Sequence, residues 1–131
     1  MILFLQAAYN STGGQSDAFG YQALYQVAGG ASNVGIGLAA GYNITTGTWN
    51  TCLGNSSGPN SGTASTGSYN TFLGAKAGTF NTTASNNTAV GYQSLYTNSV
   101  GANNIAIGYQ ALYNNTESNN TAVGWSALAA N

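Results

Sequence analysis

Asp17, Lys76 and Glu117 are the only charged side chains in this chain, and Cys52 is its one thiol. Histidine and arginine are absent, and the two carboxylates stand 100 positions apart. General acid–base catalysis needs titratable groups tuned toward neutral pH and gathered around one substrate. This chain has no such set, so no catalytic residue is assigned and the expectation is a protein that is not an enzyme. Zinc and iron sites cluster Cys, His or carboxylate ligands, and calcium sites add closely spaced carboxylates to their carbonyl ligands. Neither pattern is present, so neither a metal nor another cofactor is expected. One lysine cannot neutralise a track of phosphates, which argues against nucleic acid as a partner. Cys52 has no second cysteine to pair with, so disulfides do not hold the fold.

The rest of the composition explains why chemistry is so sparse. Only 2% of the 131 residues are charged, against roughly 25% in an ordinary soluble domain. Their place is taken by 20 Ala, 19 Gly, 18 Asn, 15 Thr and 13 Ser, with 9 Tyr as the main large side chain. Disordered chains are poor in aromatic and β-branched residues, whereas this one is 43% hydrophobic and 11% aromatic. No apolar stretch is long enough to span a membrane as a helix. The opening MILFLQAA lacks the basic segment of a secretion signal and reads instead as a shortened first structural unit.

Self-similarity organises everything else. Aligned on Gly20, Gly37, Gly54, Gly74, Gly91, Gly108 and Gly124, the chain repeats at spacings of 17, 17, 20, 17, 17 and 16. Phe4 to Asn10 (FLQAAYN) aligns with Gly108 to Asn114 and makes an eighth, degenerate unit. The residue before each glycine is apolar: Phe19, Ile36, Leu53, Leu73, Val90, Ile107 and Val123. We expect these to form a core column. Four before the glycine stands Asn33, Asn50, Asn70, Asn87, Asn104 or Asn120, and three before it is often Thr. Aromatic residues follow the glycine at one position (Tyr21, Tyr92, Tyr109, Trp125) and at five (Tyr25, Tyr42, Tyr96, Tyr113).

A 17-residue unit is too short for a pair of helices, and it carries no 3.6-residue apolar stripe. A short Thr/Ala/Val run ending in Gly is a strand followed by a turn. The expected fold is therefore all-β: a parallel β-solenoid of about eight 17-residue coils, stacked at ~4.8 Å into a rod of roughly 35–40 Å. Residues 1–131 form one repeat domain, with three extra residues bulging as a loop around 55–69 beside Pro59. Stacking places like on like, so asparagines form amide ladders, each carboxamide bonding the next. Glycine meets a backbone conformation or a close approach that a Cβ forbids. Like charges at this spacing repel at every step, and the missing charge follows. Eight such coils bury a thin core and leave an apolar strip, which points to self-association, a trimer about the rod axis being the simplest arrangement. The chain begins and ends in mid-repeat. The expectation is a segment of a longer fibre, or copies that stack end to end.

The units NNTAVGYQSL, NNIAIGYQAL and NNTAVGWSAL resemble the YadA-like head repeats of trimeric autotransporter adhesins and the GYQAL repeats of phage tail-fibre proteins. The asparagine–small–apolar–glycine core, Asn87 to Gly91, Asn104 to Gly108 and Asn120 to Gly124, carries that resemblance. It implies a left-handed β-roll, a homotrimer, and an extracellular fibre on a cell or virion surface that adheres to a host surface or glycan receptor. The family's usual unit is shorter than this one, so an extra turn per coil is expected here.

Three functional classes stay open: a structural fibre or adhesin, which leads; a carbohydrate- or ice-binding solenoid module; and an end-to-end self-assembling filament. The aromatic columns serve either as packing between subunits or as a ligand face. The Thr and Asn columns serve either as ladders or as a water-matching lattice. Sequons at Asn10, Asn43, Asn55, Asn81, Asn86, Asn114 and Asn119 are candidate N-glycosylation sites, with Asn10, Asn43 and Asn114 placed at an expected corner.

Overall fold

The computed structural model describes residues 6–130. Its strands are three residues long: β1 (Asp17–Phe19), β2 (Val34–Ile36), β3 (Thr51–Leu53), β4 (Thr71–Leu73), β5 (Thr88–Val90), β6 (Ile105–Ile107) and β7 (Thr121–Val123). They pair in parallel and in sequence order, making one seven-stranded sheet of an all-β solenoid with about six turns. The register follows the repeat, with Ala18 beside Gly35, Cys52 beside Phe72 and Ala89 beside Ala106. Each strand therefore contacts only the one before and the one after. Of the degenerate first unit, Phe4 and Leu5 lie outside the described residues. Its remainder continues the stack, the Ala8 and Asn10 amides donating to the carbonyls of Ala23 and Tyr25.

A glycine ends every strand for two reasons that reinforce one another. At Gly91 φ is 124°, a conformation side chains rarely adopt, and a Cβ there would sit 2.5 Å from the Gly108 carbonyl oxygen of the next coil. After the glycine the chain turns. The Ala23 amide donates to the Gly20 carbonyl across a turn whose third residue, Gln22, has φ 56°. That is the type II arrangement, which ordinarily wants Gly or Asn at this position. Gln93, Gln110 and Ser126 repeat it, and Leu24, Leu95, Leu112 and Leu128 add a second left-handed residue two positions on. Each such residue costs ~1–2 kcal/mol against the right-handed alternative. Bonds between coils offset the strain: Leu24 donates to Ala40 at 2.9 Å and Ala39 to Tyr21 at 2.8 Å.

The core differs from the expected column. Phe19, Ile36, Leu53, Leu73, Ile107 and Val123 are 39–66% exposed, and Val90 is half-buried. In a three-residue strand the side chains alternate, so only the middle one enters the coil. That inward column is Ala18, Gly35, Cys52, Phe72, Ala89, Ala106 and Ala122, and it packs against Leu24, Leu95 and Leu112 from the turn. The two inward positions share one volume. Where the turn supplies Leu, the strand supplies Ala. In the middle coils the turn supplies Gly58 or Gly78, and Cys52 or Phe72 fills the space. A Cβ on Gly78 would lie 2.2–2.8 Å from the Phe72 ring. Gly35 and Gly41 likewise make room for Leu24, which a Cβ on either would strike. Glycines that break the repeat in sequence are thus half of a packing exchange.

The asparagine column is buried from end to end, apart from the half-buried Asn120. Its bonding differs from a simple amide ladder. The Oδ1 of each asparagine accepts the main-chain N–H of the next: Asn33 from Asn50, Asn50 from Asn70, Asn70 from Asn87, Asn87 from Asn104 and Asn104 from Asn120, at 2.8–3.0 Å. Each Nδ2 crosses the coil to a carbonyl: Gly47, Gly67, Ala84, Gly101 or Glu117 for Asn33 to Asn104. Direct amide-to-amide bonds join only Asn50 to Asn33 and Asn70 to Asn50 within this column. A second inward run is formed by Asn81, Asn98 and Asn115. It replaces Val27 and Ile44 of the earlier coils, and all five are buried.

The inserted residues bulge where expected but over a shorter span. Asn60 still pairs with Thr79 and Ser65 already pairs with Asn43, so the excursion is Ser61–Ala64.

Candidate functional site: the outward face of the sheet

The outer side of the sheet carries two residues per coil. Thr51, Thr71, Thr88 and Thr121 form one row, interrupted by Val34 and Ile105 and ending at Asp17. The exposed Phe19–Val123 column forms the other. The rows are flanked by Tyr21, Leu38, Tyr92, Tyr109 and Trp125 on one side and by Trp49 and Tyr69 on the other, all exposed. Trp49 and Tyr69 point outward because they hold φ near 58°, immediately before Asn50 and Asn70. The result is a long face of apolar residues and threonines, with Asp17 its one charged residue at the β1 end, built on the most regular part of the backbone. Monomeric proteins rarely leave such a continuous patch open to water.

The aromatic columns are real, and most of their rings cover one another. Tyr25 and Tyr42 stack at 5.1 Å with planes 2° apart, Tyr96 and Tyr113 at 5.0 Å and 12°, and Tyr92 and Tyr109 at 5.5 Å and 19°. Tyr9 extends the first stack and Trp125 the last. A sugar packs on a ring's face, and these faces already meet a neighbour, so the stacked tyrosines offer mainly edges.

The charged residues do not converge. Asp17 is on β1, Lys76 follows β4 and Glu117 precedes β7. Asp17 and Glu117 are six strand spacings apart, roughly 29 Å. Among the described residues no three His, Cys, Asp or Glu side chains come together. Cys52 is fully buried, and burial pushes its thiol from 9.0 up to about 12.

Two of the candidate glycosylation sites are corrected. Asn43 is buried because the inserted loop folds back over it: Gly62 donates to its Oδ1 at 2.8 Å, while its Nδ2 donates to Gln26 at 3.0 Å. Asn81 faces the interior and donates to the Ala84 carbonyl at 3.2 Å. Asn10, Asn55, Asn86, Asn114 and Asn119 are exposed.

Hydrophobicity alone hides this face, because its main column, Phe19 to Val123, is as apolar as a core column. The signal was present in the small middle residue of six of the seven strands, Phe72 being the exception opposite Gly78, since only a small side chain fits beside a buried leucine. No family model matches the chain, nor does any curated protein or solved structure.

Proposed function

We propose that this chain is a segment of an extracellular structural fibre of the adhesin or tail-fibre kind, built by self-association along the outward face of its sheet. The observation that carries the proposal is the exposed column Phe19, Ile36, Leu53, Leu73, Ile107 and Val123, aligned along one parallel sheet. A face of identical rows is self-complementary, because any copy presents the same apolar spacing. Desolvating it yields ~25 cal/mol per Å² of apolar surface. A left-handed homotrimer of eight-coil chains, its three faces meeting on a common axis, is the assembly we favour. The near-absence of charge suits such a fibre: ordinary solubility devices would interrupt every stacked column.

Mass photometry of the purified chain tests the assembly. The expected mass is that of three chains, falling to one in the double variant Leu53→Asp/Leu73→Asp with its β-type circular dichroism retained. A wild-type chain that stays monomeric at micromolar concentration overturns the proposal. Electron microscopy of the same sample distinguishes discrete rods from filaments formed by end-to-end stacking.

A further inference from the structure

One place on the rod departs from the stacked order, and it carries the features of a ligand site. The three-residue insertion takes Ser61–Ala64 out of the coil-to-coil pairing, and beside it lies a groove of about 360 Å³ lined by Ser61, Thr63, Phe80, Thr82, Thr97 and Ser99. That volume falls within the roughly 300–1,000 Å³ of small-molecule sites. Phe80 is the exception among the aromatic pairs: its ring meets Tyr96 at 5.1 Å with planes 76° apart. Tyr96 is stacked on Tyr113 from the next coil, whereas Phe80, one coil to the other side, stands nearly perpendicular to Tyr96 and does not join the stack. It is 40% exposed at the groove wall.

The five remaining lining residues are hydroxyl side chains, and none is charged. Thr82 and Thr97 donate their hydroxyls to the carbonyls of Ser99 and Tyr113 at 3.0 and 2.9 Å, which fixes their rotamers and leaves oxygen lone pairs able to accept from a ligand. Together these place a part-exposed aromatic ring, whose negative quadrupole attracts polarised C–H groups, beside five hydroxyl side chains, two of them held in position. A larger groove of about 490 Å³ at the β1 edge contains Asp17 and has no aromatic ring.

We infer that the groove between the inserted loop and Phe80 binds a neutral carbohydrate, with a sugar ring laid on the Phe80 face and its hydroxyls bonded to Ser61, Thr63, Thr82, Thr97 and Ser99. An anionic sugar would find no cation in the lining. The inference is independent of the fibre assembly, since the groove lies away from the outward sheet face.

The test is a glycan array carrying neutral hexose- and N-acetylhexosamine-terminated glycans beside sialylated and sulfated ones. It is probed with the wild-type chain, Phe80→Ala, Phe80→Tyr and Thr63→Arg. The expected result is retention of one or more neutral glycans, weakened at least tenfold by Phe80→Ala and by Thr63→Arg, and kept by Phe80→Tyr. Thr63 is exposed on the bulge, so its substitution blocks the groove without touching the stack and decides the matter if Phe80→Ala unfolds. Binding of charged glycans alone, no binding above background, or neutral binding that Thr63→Arg leaves intact overturns the inference.

Discussion

Asn87 and Asn98 donate to one carbonyl, that of Gly101, at 2.9 and 2.8 Å. Asn70 and Asn81 grip the Ala84 carbonyl in the same way, and Asn104 and Asn115 grip that of Glu117. The later coils are therefore clamped across their interior by two side chains meeting on one main-chain oxygen. A buried polar group left without its partner costs ~1–3 kcal/mol, so these clamps set the register as well as the stability.

Asn87→Asp makes the clamp sensitive to acid. The new carboxyl keeps the acceptor for the Asn104 amide but faces the Gly101 carbonyl and is buried, which raises its folded value above the usual ~3.9. A raised folded value means stability is retained below the unfolded value and lost as pH climbs from about 4. Thermal melts at pH 3 and pH 7 should show a wider gap from wild type at pH 7. An equal gap at both would contradict the role given to Gly101.

The exchange of volume between Phe72 and Gly78 is tested by a double-mutant cycle. Phe72→Ala alone should cost about 3–5 kcal/mol, the usual penalty for emptying a buried aromatic position. Gly78→Leu alone should also destabilise, because its side chain would enter the Phe72 ring. The double variant recreates the Ala89–Leu95 pair of the next coil, where Leu95 already holds φ 48° at the matching site. Denaturant melts should show it recovering most of the loss, a strong non-additivity between touching residues.

Gly91→Ala and Gly124→Ala separate the two duties of the glycine column. Both positions have φ near 125°, but the nearest atom to a Cβ on Gly124 is the Ala127 Cβ at 3.9 Å. Gly124→Ala should cost the conformational ~1–3 kcal/mol alone. Gly91→Ala adds a collision with the Gly108 backbone and should lower the melting temperature considerably further. Equal losses would mean that coil-to-coil approach is not what selects glycine.

Cys52 should resist thiol reagents in the folded chain at neutral pH and react at once in denaturant, because a thiol at about 12 supplies almost no thiolate. Its raised value also predicts stability that falls as pH rises above 9, a slope carried by Cys52. Chemical melts of wild type and Cys52→Ala at pH 8 and pH 10.5 measure it. The wild type should lose more across that interval than the variant.

Period, strand position and the two kinds of column were legible in the sequence because each coil rests on a copy of itself. Gly91 lies beside Gly108 and Asn87 bonds Asn104, so sequence alignment is already spatial alignment. Direction was harder. The apolar residue of Thr-Ala-Val looks like the core residue by hydrophobicity, yet the coil admits only the alanine beside Leu95. The groove beside Phe80 was invisible for a different reason: two of its lining residues, Ser61 and Thr63, belong to the three-residue insertion one coil earlier, which has no counterpart in the other units.

The left-handed residues of the turns have a kinetic consequence. An isolated coil must close a long loop and hold residues such as Gln93 and Leu95 in a strained conformation before any neighbour repays it. Starting a rod is therefore slow, while every later coil settles onto a finished surface that dictates its shape. Folding should show a lag followed by zipper-like growth, and the existing end of the rod acts as the mould for what comes next.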